Sequence, residues 1–183
     1  QTLSINGTDL SISSGNTVSL PTGPQGPAGF GGANLVYPDG FDNLESFIFC
    51  GSYTVPTGKN AYITFSENAV SINGISFNDA CVYPLIAKEG DNITSGSCNP
   101  PWSPVTSGFL VNSSVIPISI NTAYTVPSDK QLFILSYYNP GYASIDISGT
   151  IFQLNNHVIN QPIILPSGAS ITGTSYRLNG YLK

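Results

Sequence analysis

Few side chains in this chain of 183 residues are suited to catalysis. It has three cysteines, one histidine and ten acidic residues, and no spacing links Cys81, Cys98 and His157 as a thiolate with its base. Serine and threonine are plentiful, but neither a Gly-x-Ser-x-Gly elbow nor a phosphate-binding glycine loop occurs. The sequence therefore predicts a protein that is not an enzyme and that uses no cofactor.

The only compact group of candidate metal ligands is Asp39, Asp42 and Glu45. Carboxylate oxygens at this spacing could bind calcium. The same residues are also explained by a turn and by the start of a strand, which is the interpretation we favour. The sequence thus assigns no metal site and leaves calcium binding open.

Three cysteines allow at most one disulfide within the chain. The pair we favour is Cys81 with Cys98, which leaves Cys50 as a free thiol. The alternative is three unpaired thiols, because free cysteine packs as a small apolar residue.

Aromatic side chains offer the best candidates for ligand binding. Flat apolar rings beside amide and hydroxyl groups suit the recognition of carbohydrate or protein. The candidates are Trp102, Tyr137, Tyr138, Tyr142 and the nearby His157. The alternative is that these aromatic residues cover the ends of a β-sandwich or pack against a neighbouring chain.

A β-rich unit that occurs twice would position these residues. The matched stretches are 52–59 with 123–130, 71–77 with 146–152, 90–94 with 168–172, and 108–110 with 180–182. Each unit combines short alternating strands with Gly, Pro, Asn and Asp turns, which is typical of a sandwich or jelly roll. We therefore predict an all-β fold with two tandem jelly-roll-like sandwiches, at 33–115 and 116–183. The sequence leaves open whether they form one core or two.

Loops that the two units do not share lie at 97–104, 137–142 and 155–157. Insertions between shared strands map to surface loops, where binding residues concentrate. We expect any specific function to be located there.

Residues 1–32 predict a separate stem. Apolar residues alternate with polar ones and are followed by two Gly-X-Y triplets, and strands this short need a covering partner. The stem positions are Leu3, Ile5, Leu10, Ile12, Val18, Leu20, Gly23, Gly26 and Gly29. We expect three chains to associate here as a homotrimer; the alternative for the Gly-Pro patch is a polyproline-like linker.

The charge composition narrows the classes of partner. Only 8% of residues are charged and the net charge is −5, so no basic face exists for nucleic acid. No run of about 18 apolar residues occurs, so no membrane span is predicted.

The N-terminal sequence QTLSINGTDLSISSGNTVSLP followed by GPQGPAG resembles that of collagen-like surface proteins and phage fibre or spike proteins associated with Bacteroidetes. This resemblance covers residues 1–29 and implies a trimeric stem below a β-sandwich head. The expected function is attachment of a virion to the host cell surface, through a glycan or protein receptor, with the stem contacting other virion proteins. The alternatives are a bacterial surface adhesin or carbohydrate-binding module, and a purely structural virion component.

Overall fold

Antiparallel strands make up the regular secondary structure of this computed structural model. It describes residues 3–6, 9–12, 17–19, 35–77, 84–98, 105–138, 142–154 and 162–183. The chain divides into two units, residues 1–32 and residues 33–183. Four antiparallel sheets of four strands build the larger unit, and the described residues contain no helix, so the all-β prediction is confirmed.

The N-terminal unit contains a three-stranded antiparallel sheet. Its strands are β1 (Leu3–Asn6), β2 (Asp9–Ile12) and β3 (Thr17–Ser19), in the order β1-β2-β3. The predicted stem positions Leu20, Gly23, Gly26 and Gly29 lie outside the described residues. The trimeric stem stays a prediction.

The first sandwich contains eight strands. They are β4 (Glu45–Phe49), β5 (Ser52–Thr54), β6 (Lys59–Ser66), β7 (Val70–Ile72), β8 (Ile75–Phe77), β9 (Leu85–Lys88), β10 (Asn92–Thr94) and β11 (Thr106–Asn112). One sheet has the order β4-β11-β6-β9 and the other has the order β5-β10-β7-β8.

The second sandwich repeats this arrangement. Its strands are β12 (Ile116–Ile120), β13 (Tyr124–Thr125), β14 (Leu132–Tyr138), β15 (Tyr142–Ile147), β16 (Thr150–Leu154), β17 (Ile163–Leu165), β18 (Ser170–Thr174) and β19 (Arg177–Leu182). The sheets are β12-β19-β14-β17 and β13-β18-β15-β16. With the strands of each sandwich numbered 1 to 8, both have the orders 1-8-3-6 and 2-7-4-5, which is the connectivity of a jelly roll.

Matched residues of the repeat make matched contacts. The Val55 N–H donates to the Asp91 carbonyl in the first sandwich, and the Val126 N–H donates to the Ala169 carbonyl at the corresponding place in the second. The two-residue turns after β7 and β15 both place a non-glycine residue and then a glycine at positive φ. That conformation suits the twist of a tight hairpin. The sequence repeat is thus a repeat of structure.

Each sandwich has its own apolar core, and a third cluster lies between the sandwiches. The third cluster contains Tyr62, Ile86, Val111, Val115, Phe133, Leu135 and Tyr181. These side chains alternate along their strands with residues of the two separate cores, such as Ile63 and Ile134. Strands buried on both faces have near-continuous apolar sequence, which explains the runs AYI in β6 and LFIL in β14.

The connection between the sandwiches is held by Asp39. One carboxylate oxygen accepts hydrogen bonds from the Ser114 N–H (2.5 Å), the Ser114 hydroxyl (2.7 Å) and the Val115 N–H (3.2 Å). The other accepts from the Asn60 amide (2.9 Å) and from the Tyr62 hydroxyl (2.6 Å). Asp39 therefore ties the connecting segment to the first sandwich.

Candidate functional site

The two ends of each sandwich differ in the kind of connection they carry. The links between strands 2 and 3, 4 and 5, and 6 and 7 are tight turns that both repeats share. The other end, which we call the loop end, carries the links between strands 1 and 2, 3 and 4, 5 and 6, and 7 and 8. The segments 99–104, 139–141 and 155–157, taken from the predicted repeat-specific loops, all belong to loop-end links.

A disulfide joins two links at the loop end of the first sandwich. It connects Cys50, just after β4, to Cys98, between β10 and β11, with the Cα atoms 5.4 Å apart. The Gly51 N–H donates to Gly96 (3.0 Å) and the Ser95 N–H donates to Gly51 (2.8 Å), which brings the two segments together. The predicted Cys81–Cys98 pair was therefore wrong, because the sulfur of Cys98 is already bonded to Cys50. Cys81 itself lies outside the described residues.

A shallow polar groove lies beside this disulfide. Its volume is about 560 Å³, and its lining residues are Asn68, Ala69, Ser71, Ser76, Thr94, Ser95 and Gly96. Hydroxyl and amide groups dominate the lining, which suits hydrogen bonding to a saccharide. The predicted ligand residue Trp102 belongs to the same loop-end link as Ser95 and Cys98, but it lies outside the described residues.

The loop end of the second sandwich contains the predicted tyrosines. Tyr137 is only 6% exposed and belongs to the core, and its hydroxyl donates to the Leu154 carbonyl (2.6 Å). This placement argues against the predicted ligand-binding role of Tyr137. Tyr138 is half-buried, and the Arg177 guanidinium lies over its ring, 5.4 Å from the centroid.

Tyr142 is the exposed member of the group. Its side chain is 47% exposed at the start of β15. The next residue, Ala143, pairs with Leu154 at the end of β16, so Tyr142 lies beside the end of that strand. The predicted ligand residue His157 lies outside the described residues.

The second sandwich closes its loop end without a disulfide. The Tyr176 hydroxyl, in the link between β18 and β19, donates a hydrogen bond to the Thr122 carbonyl, in the link between β12 and β13. These are the same two links that Cys50 and Cys98 join in the first sandwich. One position in the fold is therefore held covalently in one repeat and by a hydrogen bond in the other.

An apolar groove crosses the outer face of the first sandwich. Its volume is about 460 Å³. We call this surface the open face and define it by Leu44, Ser46, Ile48, Thr64, Phe65, Ser107 and Phe109. Ile48 pairs with Ser107, and Ser107 pairs with Phe65, so these three side chains form one row across three strands. Ile48 is 72% exposed and Phe65 is 49% exposed.

The candidate calcium ligands have separate roles. Asp39 accepts the hydrogen bonds described above, and the Glu45 carboxylate lies 2.9 Å from the Lys59 ammonium. Within the part of the chain that the structure describes, no three His, Cys, Asp or Glu side chains form a metal-binding group. The sequence interpretation missed the structural role of Asp39, although the Pro38-Asp39-Gly40 turn marked its position.

Asn179 is a second residue that the sequence interpretation missed. It is buried between the sandwiches, where its amide donates to the Ile86 carbonyl (2.8 Å) and its side-chain oxygen accepts from the Ile86 N–H (2.6 Å). The sequence offers no signal for this contact, because Asn179 is one of many asparagines and lies 93 positions from Ile86.

Sequence comparisons with family models and curated proteins give no match. Among the described residues, no helix is long and apolar enough to cross a membrane.

Proposed function

We propose that this chain is a virion spike or fibre protein that attaches the particle to the host cell surface, acting as a homotrimer. The main observation in support is that each sandwich has one end of tight turns that both repeats share and one end of repeat-specific loops. Such a division suits a recognition protein, in which a rigid scaffold presents variable loops. The resemblance of residues 1–29 to stems of fibre and spike proteins supports the same reading.

The disulfide supports an extracellular location. Disulfides persist in oxidising surroundings such as virion and cell surfaces, and they are rare in the cytosol. With 8% charged residues, the head would present mostly amide, hydroxyl and aromatic groups to its surroundings. These groups favour a glycan or a protein surface as receptor over a strongly charged partner.

The receptor contact is proposed at the loop end of the second sandwich. An exposed ring such as that of Tyr142 can stack on the apolar face of a sugar or fill a pocket in a protein. Arg177 is the single arginine of the chain, and its guanidinium lies over the ring of Tyr138. Weak contacts at this end would gain avidity from three copies.

Adsorption to host cells tests this site. Tyr142→Ala should weaken binding of the purified protein to host cells by about tenfold, since one aromatic anchor typically contributes 1–2 kcal/mol or more. Phe152→Ala is the matched control, because Phe152 is equally exposed on the neighbouring strand but lies away from the loops. Equal binding by the wild type and Tyr142→Ala would contradict the proposed contact.

Sedimentation equilibrium tests the homotrimer. The wild-type chain should sediment with three times the mass of one chain, and Leu10→Asp with Val18→Asp should reduce that mass, because charges would enter the proposed covered face of the stem. A folded wild-type monomer at all concentrations would overturn the trimer.

A carbohydrate-binding adhesin of a bacterial surface is the second candidate. It is favoured by the polar groove beside the disulfide, whose lining offers hydroxyl and amide groups. Mass spectrometry distinguishes the two: the virion proposal expects the polypeptide in purified virus particles, and the adhesin proposal expects it in the bacterial envelope.

A further inference from the structure

The contact between the two sandwiches joins unlike surfaces. The first sandwich contributes its edge strand β9 together with Tyr62 of β6 and Val111 of β11, and the second contributes the outer face of its β12-β19-β14-β17 sheet. Asn179 on that face bonds both main-chain groups of Ile86 in β9. An edge of one repeat therefore rests on a face of the other, which is a heterologous contact inside one chain.

Each partner surface has an unused equivalent in the same chain. In the second sandwich, the equivalent of β9 is the edge strand β17, where Ile164 pairs with Phe133 just as Ile86 pairs with Tyr62. Ile164 is 44% exposed, whereas Ile86 is fully buried. In the first sandwich, only part of the equivalent outer face is the open face, because Tyr62 and Val111 of the same sheet belong to the cluster between the sandwiches.

Strand register fixes which residues correspond. On the covered face, Ser119 pairs with Asn179, and Asn179 pairs with Ser136. The corresponding row on the open face is Ile48, Ser107 and Phe65. Both rows flank a bulge at the same position of the third strand, at Leu135 and at Thr64. The open groove is thus the counterpart of the surface on which β9 rests.

The side chains in the row of the open face favour binding of an apolar side chain. Isoleucine and phenylalanine replace the two serines of the covered row, and a small serine replaces Asn179 between them. Two large apolar side chains that flank a small one leave room for a third apolar side chain. The groove lining contains no charged residue, so an isoleucine edge can enter without burying a charge.

We propose that the open face binds the β17 edge of a second copy of this chain, with Ile164 of one copy seated on the row of Ile48, Ser107 and Phe65 of the next. The contact repeats between chains what the β9 edge does within the chain. Each copy has one β17 edge and one open face, so successive contacts continue head to tail, and they form a ring if the rotation between copies closes and a filament if it does not. A ring of three chains would agree with the proposed stem trimer, but the head contact stands on the described sandwiches alone.

The contact between copies is weaker than the contact within the chain. Ser107 is too short to bond both main-chain groups of the docked strand as Asn179 does for Ile86. The proposed contact therefore relies on apolar burial and depends on protein concentration.

Single and mixed variants of the full chain test the proposal. Ile48→Asp places a charge on the open face, and Ile164→Asp places a charge on the β17 edge. Each should raise the dissociation constant of self-association, measured by sedimentation velocity, by at least about tenfold. An equimolar mixture should regain a two-chain species, because the intact edge of Ile48→Asp can dock on the intact face of Ile164→Asp. A symmetric contact between two open faces would show no such rescue.

Ile151→Asp is the matched control. Ile151 is 65% exposed on β16, outside both proposed surfaces, so its variant should associate like the wild type. Thermal melts of the three variants verify that each remains folded. If Ile48→Asp does not fold, Phe65→Asp is a second substitution on the open face that tests the same contact. Rescue by mixing supports the proposal. The proposal is overturned if both variants associate like the wild type, if Ile151→Asp weakens association equally, or if mixing gives no rescue. The stem trimer is a separate proposal, and an oligomer held by the stem would remain in either case.

Discussion

The two sandwiches share one strand order but differ in what lies on the outer face of their first sheet. In the second sandwich, that face is covered by β9, and its central row of Ser119, Asn179 and Ser136 is polar. In the first, the corresponding row is largely apolar and exposed. Within this row, exposure does not follow hydrophobicity, since the more apolar of the two rows is the uncovered one. An exposed apolar face with a covered counterpart indicates a binding surface.

The two sandwiches also differ in how their loop ends are held, and removing the disulfide has the largest expected effect. Cys50→Ser with Cys98→Ser should lower the free energy of unfolding by about 4 kcal/mol, because the bond closes a long loop, with a sequence separation of 48. Tyr176→Phe removes the counterpart in the second sandwich and should cost only about 1 kcal/mol. Urea denaturation of both variants measures the difference, and equal losses would show that the two links are not energetically distinct.

A close backbone approach common to both sandwiches gives the next largest effect. A Cβ atom at Gly180 would lie 1.9 Å from the Phe133 carbonyl oxygen, and Gly108 has the same relation to Tyr62. Gly180→Ala should therefore cost about 3 kcal/mol, because the strands must separate. Gly149→Ala is the control: it adds a Cβ in open space at φ +86°, and it should cost about 1 kcal/mol. Similar urea midpoints for the two variants would contradict this reading of the strand contact.

The middle position of the row, Asn179 on the covered face and Ser107 on the open face, predicts an intermediate effect. Asn179→Ala leaves the N–H and the carbonyl of Ile86 without their hydrogen bonds and should cost about 2 kcal/mol. Ser107→Ala changes the corresponding position of the open face and should alter stability by less than about 0.5 kcal/mol. Equilibrium unfolding of the two variants tests the contrast, and it fails if Ser107→Ala is the more damaging change.

The aromatic contact between the sandwiches predicts an effect that is confined to alkaline pH. Burial is the main cause that raises the pKa of both Tyr62 and Tyr181, followed for Tyr62 by its hydrogen bond to Asp39 and for Tyr181 by the charge of Asp39, and the pKa of Tyr181 reaches about 12. Tyrosines in the unfolded chain ionise near pH 10, so their contribution to stability is complete below about pH 10 and is lost as the pH rises towards 12.

Denaturation at a series of pH values from about 8 to 12 measures this loss. Each such tyrosine should steepen the decline by up to about 1.4 kcal/mol per pH unit. Tyr181→Phe should show a shallower decline than the wild type. An unchanged pH dependence in Tyr181→Phe would mean that its hydroxyl does not ionise differently in the folded and unfolded chain.

Much of the scaffold was predictable, because strands and turns are encoded locally. Alternating apolar residues and glycine-containing turns such as Asn73-Gly74 marked the strands, and the matched stretches showed that one unit occurs twice. The candidate sites were predicted less well. Tyr137 and Tyr142 look alike in the sequence, yet one is a core residue and the other is exposed. They lie on different strands, β14 and β15, and successive side chains of a strand point to opposite faces of its sheet.

The sequence by itself determined an all-β chain with a repeated unit, because the period of two, the turn residues and the repeat are all properties of short segments. Only the tertiary structure decided that Cys98 bonds to Cys50, that Asp39 holds the connecting segment, and that one outer face is covered while its counterpart is open. The physical reason is that jelly-roll strands pair with partners far along the chain. Which side chains meet therefore depends on how the sheets close, and composition and spacing do not specify that closure.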